Sequence, residues 1–69
     1  MIELFVFDTI MQEGIQFRYV SDFRVHDGYV SFLDAEHNYM PYTIYLGPDR
    51  DITVIDDKAV LYKFRGGGE

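Results

Sequence analysis

Cysteine and tryptophan are both missing from this 69-residue chain, and proline occurs only twice. Without cysteine no disulfide can staple the fold, and a zinc site would lack thiolate ligands. Basic residues are scarce: six Lys and Arg stand against twelve Asp and Glu, for a net charge of −6. Such a chain repels phosphate backbones, so direct nucleic-acid binding is disfavoured and a partner with a basic surface is favoured. No apolar run approaches the ~20 residues that carry a helix across a bilayer, so no membrane span is expected. The start Met1-Ile2-Glu3 places no basic leader before an apolar run, which argues against a secretory signal. Together these absences predict a cytoplasmic protein, located in the host cytoplasm if it is virus-encoded.

Catalytic signatures are equally sparse. A nucleophile would have to be Ser21, Ser31 or a threonine, and no Gly-x-Ser-x-Gly elbow or Ser–His–acid set is present. The only glycine cluster, Gly66-Gly67-Gly68, belongs to the tail, so no phosphate-cradling glycine loop is expected. His26 and His37 are the only imidazoles; two His with nearby Asp are able to bind a transition metal, but the reading favoured is two ordinary exposed residues. The acidic run Asp49-Arg50-Asp51 and Asp56-Asp57 lacks the alternation and central glycine of a calcium loop. The expectation is therefore no enzyme, no cofactor and no metal.

What the chain does have is aromatic mass, with six Phe and six Tyr. These bury large areas and allow a short chain to hold a core. Apolar positions recur with a period near two and are dominated by Val, Ile, Phe, Thr and Tyr, which is strand chemistry. Turn residues recur at Gln12-Glu13-Gly14, Asp27-Gly28, Glu36-His37-Asn38, Gly47-Pro48-Asp49 and Asp56-Asp57-Lys58. The pattern predicts strands near 2–11, 15–26, 29–35, 39–46, 51–55 and 59–64. The expected fold is all-β, a five- or six-stranded antiparallel meander curled into a small open barrel of OB-like or SH3-like size. A flat meander that dimerises through strand 2–11 is the alternative. Residues 1–64 form one β domain, and 65–69 are expected to be a flexible glycine-rich tail.

Asp27-Gly28 favours a two-residue type I′ turn, which pairs His26 with Tyr29, Val25 with Val30, Arg24 with Ser31 and Phe23 with Phe32. A loop at Glu36-His37-Asn38, with Asn38 left-handed, pairs Phe32 with Tyr42 and Val30 with Ile44. Phe23, Val25, Val30, Phe32, Tyr42 and Ile44 then face inward. Pro41 requires that its nitrogen face away from the third strand, or that a bulge intervene. Residues 15–25 keep one parity through Ile15, Phe17, Tyr19, Ser21, Phe23 and Val25, and a strand of that length is expected to bend. The first strand carries Ile2, Leu4, Val6 and Ile10 on one side and Phe5, Phe7 and Met11 on the other. Two apolar faces imply double burial or contact with another subunit.

Two surfaces stand out. Asp49, Asp51, Asp56 and Asp57 read as an acidic patch at one hairpin end, able to imitate phosphates against a basic groove. On the outer face, His26, Tyr29 and Tyr45 form one cross-strand row and Arg24, Ser31 and Thr43 the next, with Arg18 further along. Tyr and Arg are common interface anchors. The terminal Arg65-Gly66-Gly67 superficially resembles the end of ubiquitin-like modifiers, but only over three residues and without the helix those folds contain. In composition the chain resembles the small acidic accessory or inhibitor proteins of bacteriophages and other mobile elements.

The leading expectation is thus a non-enzymatic acidic binding protein that docks on and modulates a larger, locally basic protein. Asp49, Asp51, Asp56 and Asp57 would steer it, and Arg24, Tyr29 and Tyr45 would anchor it. An alternative is an oligomer that sequesters a nucleotide or small anion through Arg18, Arg24, His26, Tyr29 and Tyr45. A third is a structural subunit of a virion, assembling through strand 2–11.

Overall fold

A computed structural model describes residues 1–66. Six strands are present: β1 (Ile2–Asp8), β2 (Glu13–His26), β3 (Tyr29–Asp34), β4 (Met40–Tyr45), β5 (Arg50–Asp56) and β6 (Ala59–Arg65). One 3₁₀ turn, Ala35–His37, is the only helical element among the described residues. All strand pairs are antiparallel, in one sheet of order β4-β3-β2-β1-β5-β6. The fold is all-β and antiparallel as expected, curled but open, with β4 and β6 as its edges; it departs from a simple meander after β4, because β5 pairs with β1 and the β4–β5 link crosses the sheet.

The curl originates in β2. Its first half pairs with β1 and its second half with β3, so one strand serves both wings of the sheet. Two bulges bend it. Glu3 faces both Arg18 and Tyr19, because Ile2 pairs with Val20 while Leu4 pairs with Phe17. Phe32 faces both Asp22 and Phe23, because Ser21 pairs with Leu33 while Arg24 pairs with Ser31. Asp22 sits at φ 55, a left-handed position that Asp tolerates better than most residues. The expected direct pair of Phe23 with Phe32 is therefore absent.

Each bulge adds one residue and reverses the inward parity. Ile15 and Phe17 point to the concave side, then Val20, then Phe23 and Val25. The single parity expected for 15–25 holds at both ends because two reversals cancel, and fails between them. Val20, not Tyr19 or Ser21, is the buried residue there, with 7% exposure against 41% for Tyr19.

The concave face carries the core. Leu4, Val20, Val30, Phe32, Ile52 and Val54 are buried, and Ile2, Val6, Phe17, Phe23, Tyr42, Ile44, Leu46, Tyr62 and Phe64 pack against them. Phe17 joins the wings, with ring centroids 4.9 Å from Phe32 and 5.0 Å from Tyr42. Phe23 reaches Tyr62 of β6 at 6.0 Å. Of the six residues expected inward, Phe23, Val30, Phe32, Tyr42 and Ile44 reach this core. Val25 shares their side, but at the end of β2 the facing strands do not cover it, and it is 49% exposed.

Apart from Phe23 and Phe32, the two hairpin registers around β3 are as expected. His26 pairs with Tyr29, Val25 with Val30 and Arg24 with Ser31. Across the next turn Phe32 pairs with Tyr42 and Val30 with Ile44. The turn types differ from expectation. Gly28 has φ 88 while Asp27 does not enter the left-handed region, which is the φ pattern of a type II turn and not of type I′. The doubly left-handed pattern occurs instead at Asp57 (φ 50) and Lys58 (φ 70). Asn38 is left-handed as expected, and so is Tyr39.

Pro41 is accommodated without a bulge, since β3–β4 pairing runs unbroken from Tyr29–Tyr45 to Asp34–Met40. Along an antiparallel strand the N–H and C=O of successive residues alternate sides. Leu46 donates its N–H to Gly28 O at 3.0 Å, so 42, 44 and 46 address the β3 side. Positions 41, 43 and 45 therefore turn their backbone groups to the outer edge, where Pro41 has no bond to lose.

β1 ends at Asp8, and residues 9–12 form a turn instead of strand. Asp8 Oδ1 accepts from the N–H groups of Ile10 and Met11, both at 3.0 Å, which closes that turn. Ile10 and Met11 are exposed there and not part of a two-faced strand. With β2 on one side and β5 on the other, β1 has no free edge through which to pair a second copy. Arg65 closes β6, and Gly66 N–H is held by Arg50 O and Asp51 Oδ1, both at 3.0 Å. Residues 67–69 of the expected tail lie outside the described residues.

Candidate functional site

The outer face of β2, β3 and β4 assembles the expected aromatic row. His26 pairs with Tyr29 and Tyr29 with Tyr45 in register. The His26 and Tyr29 rings stack at 4.4 Å and 14°, and Tyr29 lies 5.8 Å from Tyr45, tilted by 49°. Tyr45, at the edge, is 64% exposed. Beside it run Arg24, Ser31 and Thr43, also in register. His26 Nε2 and Ser31 Oγ share a hydrogen bond of 2.7 Å that ties the two rows together.

The arginines do not converge. Arg24 Nε donates to Asp22 Oδ1 at 3.1 Å, so its charge is partly answered by its own strand. Arg18 falls in the first bulge and lines a separate shallow groove with Met1, Glu3, Gln16 and Tyr19. Arg24 does not line that groove.

The four aspartates also separate. Asp51 and Asp56 lie near opposite ends of β5, five residues apart, or about 16 Å at strand rise. They do not form one hairpin end. Asp56 and Asp57 flank the terminal amine of Met1 at 3.3 and 3.2 Å. Hydrogen bonds to Asp57 and then Asp56 raise the pKa of that amine above its ordinary value. At the other end, register brings Asp8 beside both Glu13 and Arg50, and Asp51 beside Phe7. Thr9 N–H donates to Asp49 O at 2.9 Å. The acidic end therefore has two faces: Asp8 and Glu13 lie on the concave face beside Arg50, while Asp51 lies on the other face opposite Arg65, with its Oδ1 held by Gly66 N–H. Asp8 and Glu13 were invisible as members because nothing local in the sequence links them to residue 49.

Next to this end opens a cleft of about 410 Å³. Its apolar wall is Val6, Ile15, Phe17, Tyr42 and Ile44, and Asp8, Glu13 and Arg50 supply its polar groups. Consecutive residues Tyr42 to Tyr45 line it, so the outer edge of β4 forms one side. Arg50 Nη1 donates to Tyr45 O at 2.9 Å, which joins the acidic end to the tip of the aromatic row. Sequence reasoning missed the cleft, because the bend in β2 that creates it depends on bulges.

Asp34, the one buried charged residue among the described residues, has a structural role. It is 2% exposed, and its Oδ1 accepts from Glu36 N–H at 3.0 Å while Oδ2 accepts from His37 Nδ1 at 2.7 Å. These bonds cap the 3₁₀ turn. The hydrogen bond to Asp34 raises the His37 pKa above its ordinary value. Glu36 stands close to the same pair, but both ligating partners other than Asp34 are exposed and the carboxylate is already committed to the turn.

No helix among the described residues is long and apolar enough to cross a membrane. Compared with known proteins, the chain matches no family model, no curated protein and no solved structure.

Proposed function

We propose that this chain is a small non-enzymatic binding protein that docks on a larger protein with a basic surface and modulates it by occupying that surface. The observation that carries the reading is the partly exposed His26–Tyr29–Tyr45 row, joined through Arg50 to the acidic end. Rigid, partly exposed aromatics supply contact area at low entropic cost. A net charge of −6 supplies long-range attraction to a basic surface. Asp49 and Asp51 take the steering role, together with Asp8 and Glu13. Asp56 and Asp57 contribute less, being remote along β5 and answered by the Met1 amine.

The test is affinity capture from a host lysate, repeated with variants on the retained protein. Tyr29→Ala with Tyr45→Ala is expected to weaken retention at least tenfold, the scale of about 1.4 kcal/mol. Asp49→Asn with Asp51→Asn is expected to slow association and flatten its salt dependence more than Asp56→Asn with Asp57→Asn. A partner retained equally by the double tyrosine variant and the parent would overturn the reading.

A further inference from the structure

The two edges of the sheet are treated differently by the chain. Natural sheets blunt free edges with bulges, Lys, Pro or charge, because an open edge recruits another strand. β6 carries such devices: a bulge at Leu61, between the pairs Val54–Tyr62 and Ile55–Val60, and the cations Lys63 and Arg65. β4 has Pro41 near its start and no charge from Met40 to Tyr45. Its register to β3 is unbroken, so its outer edge is a regular strand template.

That edge faces a cleft and not an open surface. Thr43 turns both its N–H and C=O outward, flanked by the Tyr45 N–H, while Tyr45 O already accepts from the Arg50 guanidinium. Beneath the edge, Ile15 is 61% exposed within the concave wall that also contains Val6, Phe17 and Ile44. Asp8 and Glu13 stand at the rim with Arg50, which pairs with Asp8 in register, so two carboxylates outnumber one guanidinium there. The three features are a donor–acceptor row, an apolar wall and a net negative rim. They match an extended segment that bonds through its backbone, buries alternate apolar side chains and carries positive charge.

We infer that β4 and this cleft receive an extended, cationic segment of a partner protein as an added strand, seated on the Thr43 backbone against Ile15 and Ile44. The inference rests on the docking reading above and supplies its binding mode. It places the partner's basic charge beside Asp8 and Glu13. The aromatic row, whose tip Tyr45 belongs to both surfaces, then contacts whatever flanks the segment.

The test uses the full chain and an end-blocked pentapeptide alternating valine and arginine, titrated by calorimetry and amide NMR. Expected results are saturable binding, with the Thr43 amide shifted, and at least tenfold weaker binding of a valine–glutamate counterpart. Thr43→Pro removes the outward donor without touching a bond to β3, and is expected to weaken the peptide at least tenfold. Two N-methylated peptides give the same information on the unaltered protein: methyl groups on amides of one side abolish binding, and on the other side leave it intact. Asp8→Asn with Glu13→Gln is expected to weaken binding severalfold and to lessen its salt dependence. Strand addition is overturned by no binding at millimolar peptide, by equal binding of both N-methylated forms, or by indifference to arginine versus glutamate. The docking reading is judged separately, by partner capture with the tyrosine variants, so either can fail alone.

Discussion

Replacing Val20 tests the bulged path of β2 most directly. Strict alternation from Ile15 to Val25 puts Tyr19 and Ser21 inside and Val20 outside, whereas the bulges put Val20 in the core at 7% exposure. Val20→Ala removes two methyl groups from a site bounded by buried neighbours. At about 0.8 kcal/mol per buried methylene the transfer loss is about 1.6 kcal/mol, and incomplete collapse around the gap brings it to roughly 2. Tyr19→Thr puts a β-branched strand former in place of an aromatic one and removes a ring whose outer part is in water, so its cost is expected below about 1 kcal/mol. Urea unfolding followed by far-ultraviolet circular dichroism measures both, since the chain has no tryptophan. In a domain this small the Val20 change corresponds to a fall in Tm of roughly 8–16 °C. Should Tyr19→Thr prove the more damaging of the two, the parity reversal between the bulges is wrong, and with it the bend that shapes the cleft.

Three further outcomes follow from local geometry. Lys58 holds φ 70 in a turn without glycine, so Lys58→Gly is expected to stabilise the fold by up to about 1 kcal/mol in denaturant titration. Conversely, Gly28→Ala, at φ 88 with open space around its Cα, is expected to destabilise by about 1 kcal/mol through backbone strain alone. Because Asp34 raises the His37 pKa, the folded state holds the proton more tightly than the unfolded chain. The stability from that contact is complete below the ordinary imidazole value of about 6.5 and declines as pH rises through the higher folded value. Thermal melts across that window should show the decline, and His37→Gln should remove it; an imidazole NMR titration at the ordinary value would refute the assignment.

Legibility in the sequence follows the range of the interactions. The β2–β3–β4 registers were readable because each is set by a short turn and by face matching between neighbours. Thus Val30 meets Ile44, Arg24 meets Ser31, and Tyr29 meets Tyr45. The aromatic row followed from the same registers. The separation of Asp49 and Asp51 from Asp56 and Asp57 was also implicit in strand rise, once β5 is counted as Arg50–Asp56. What was not readable involves insertions in the ladder. Bulges at Arg18/Tyr19 and Asp22/Phe23 leave no compositional mark, since neither contains glycine. The edge position of β4 and the central position of β1 likewise come from sheet order.

By itself the amino-acid order determined that this chain forms strands, where most of them turn, and which side chains oppose each other across β3, because period-two patterning and turn residues act over a few positions. Only the tertiary structure decided where β2 bends, that Val20 and not Tyr19 enters the core, and that Asp8 and Glu13 meet Arg50 beside an open cleft. Those outcomes depend on two wings of one curled sheet closing on each other, and the contacts that select that closure, such as Phe17 on Tyr42 and Phe23 on Tyr62, join residues far apart in the chain.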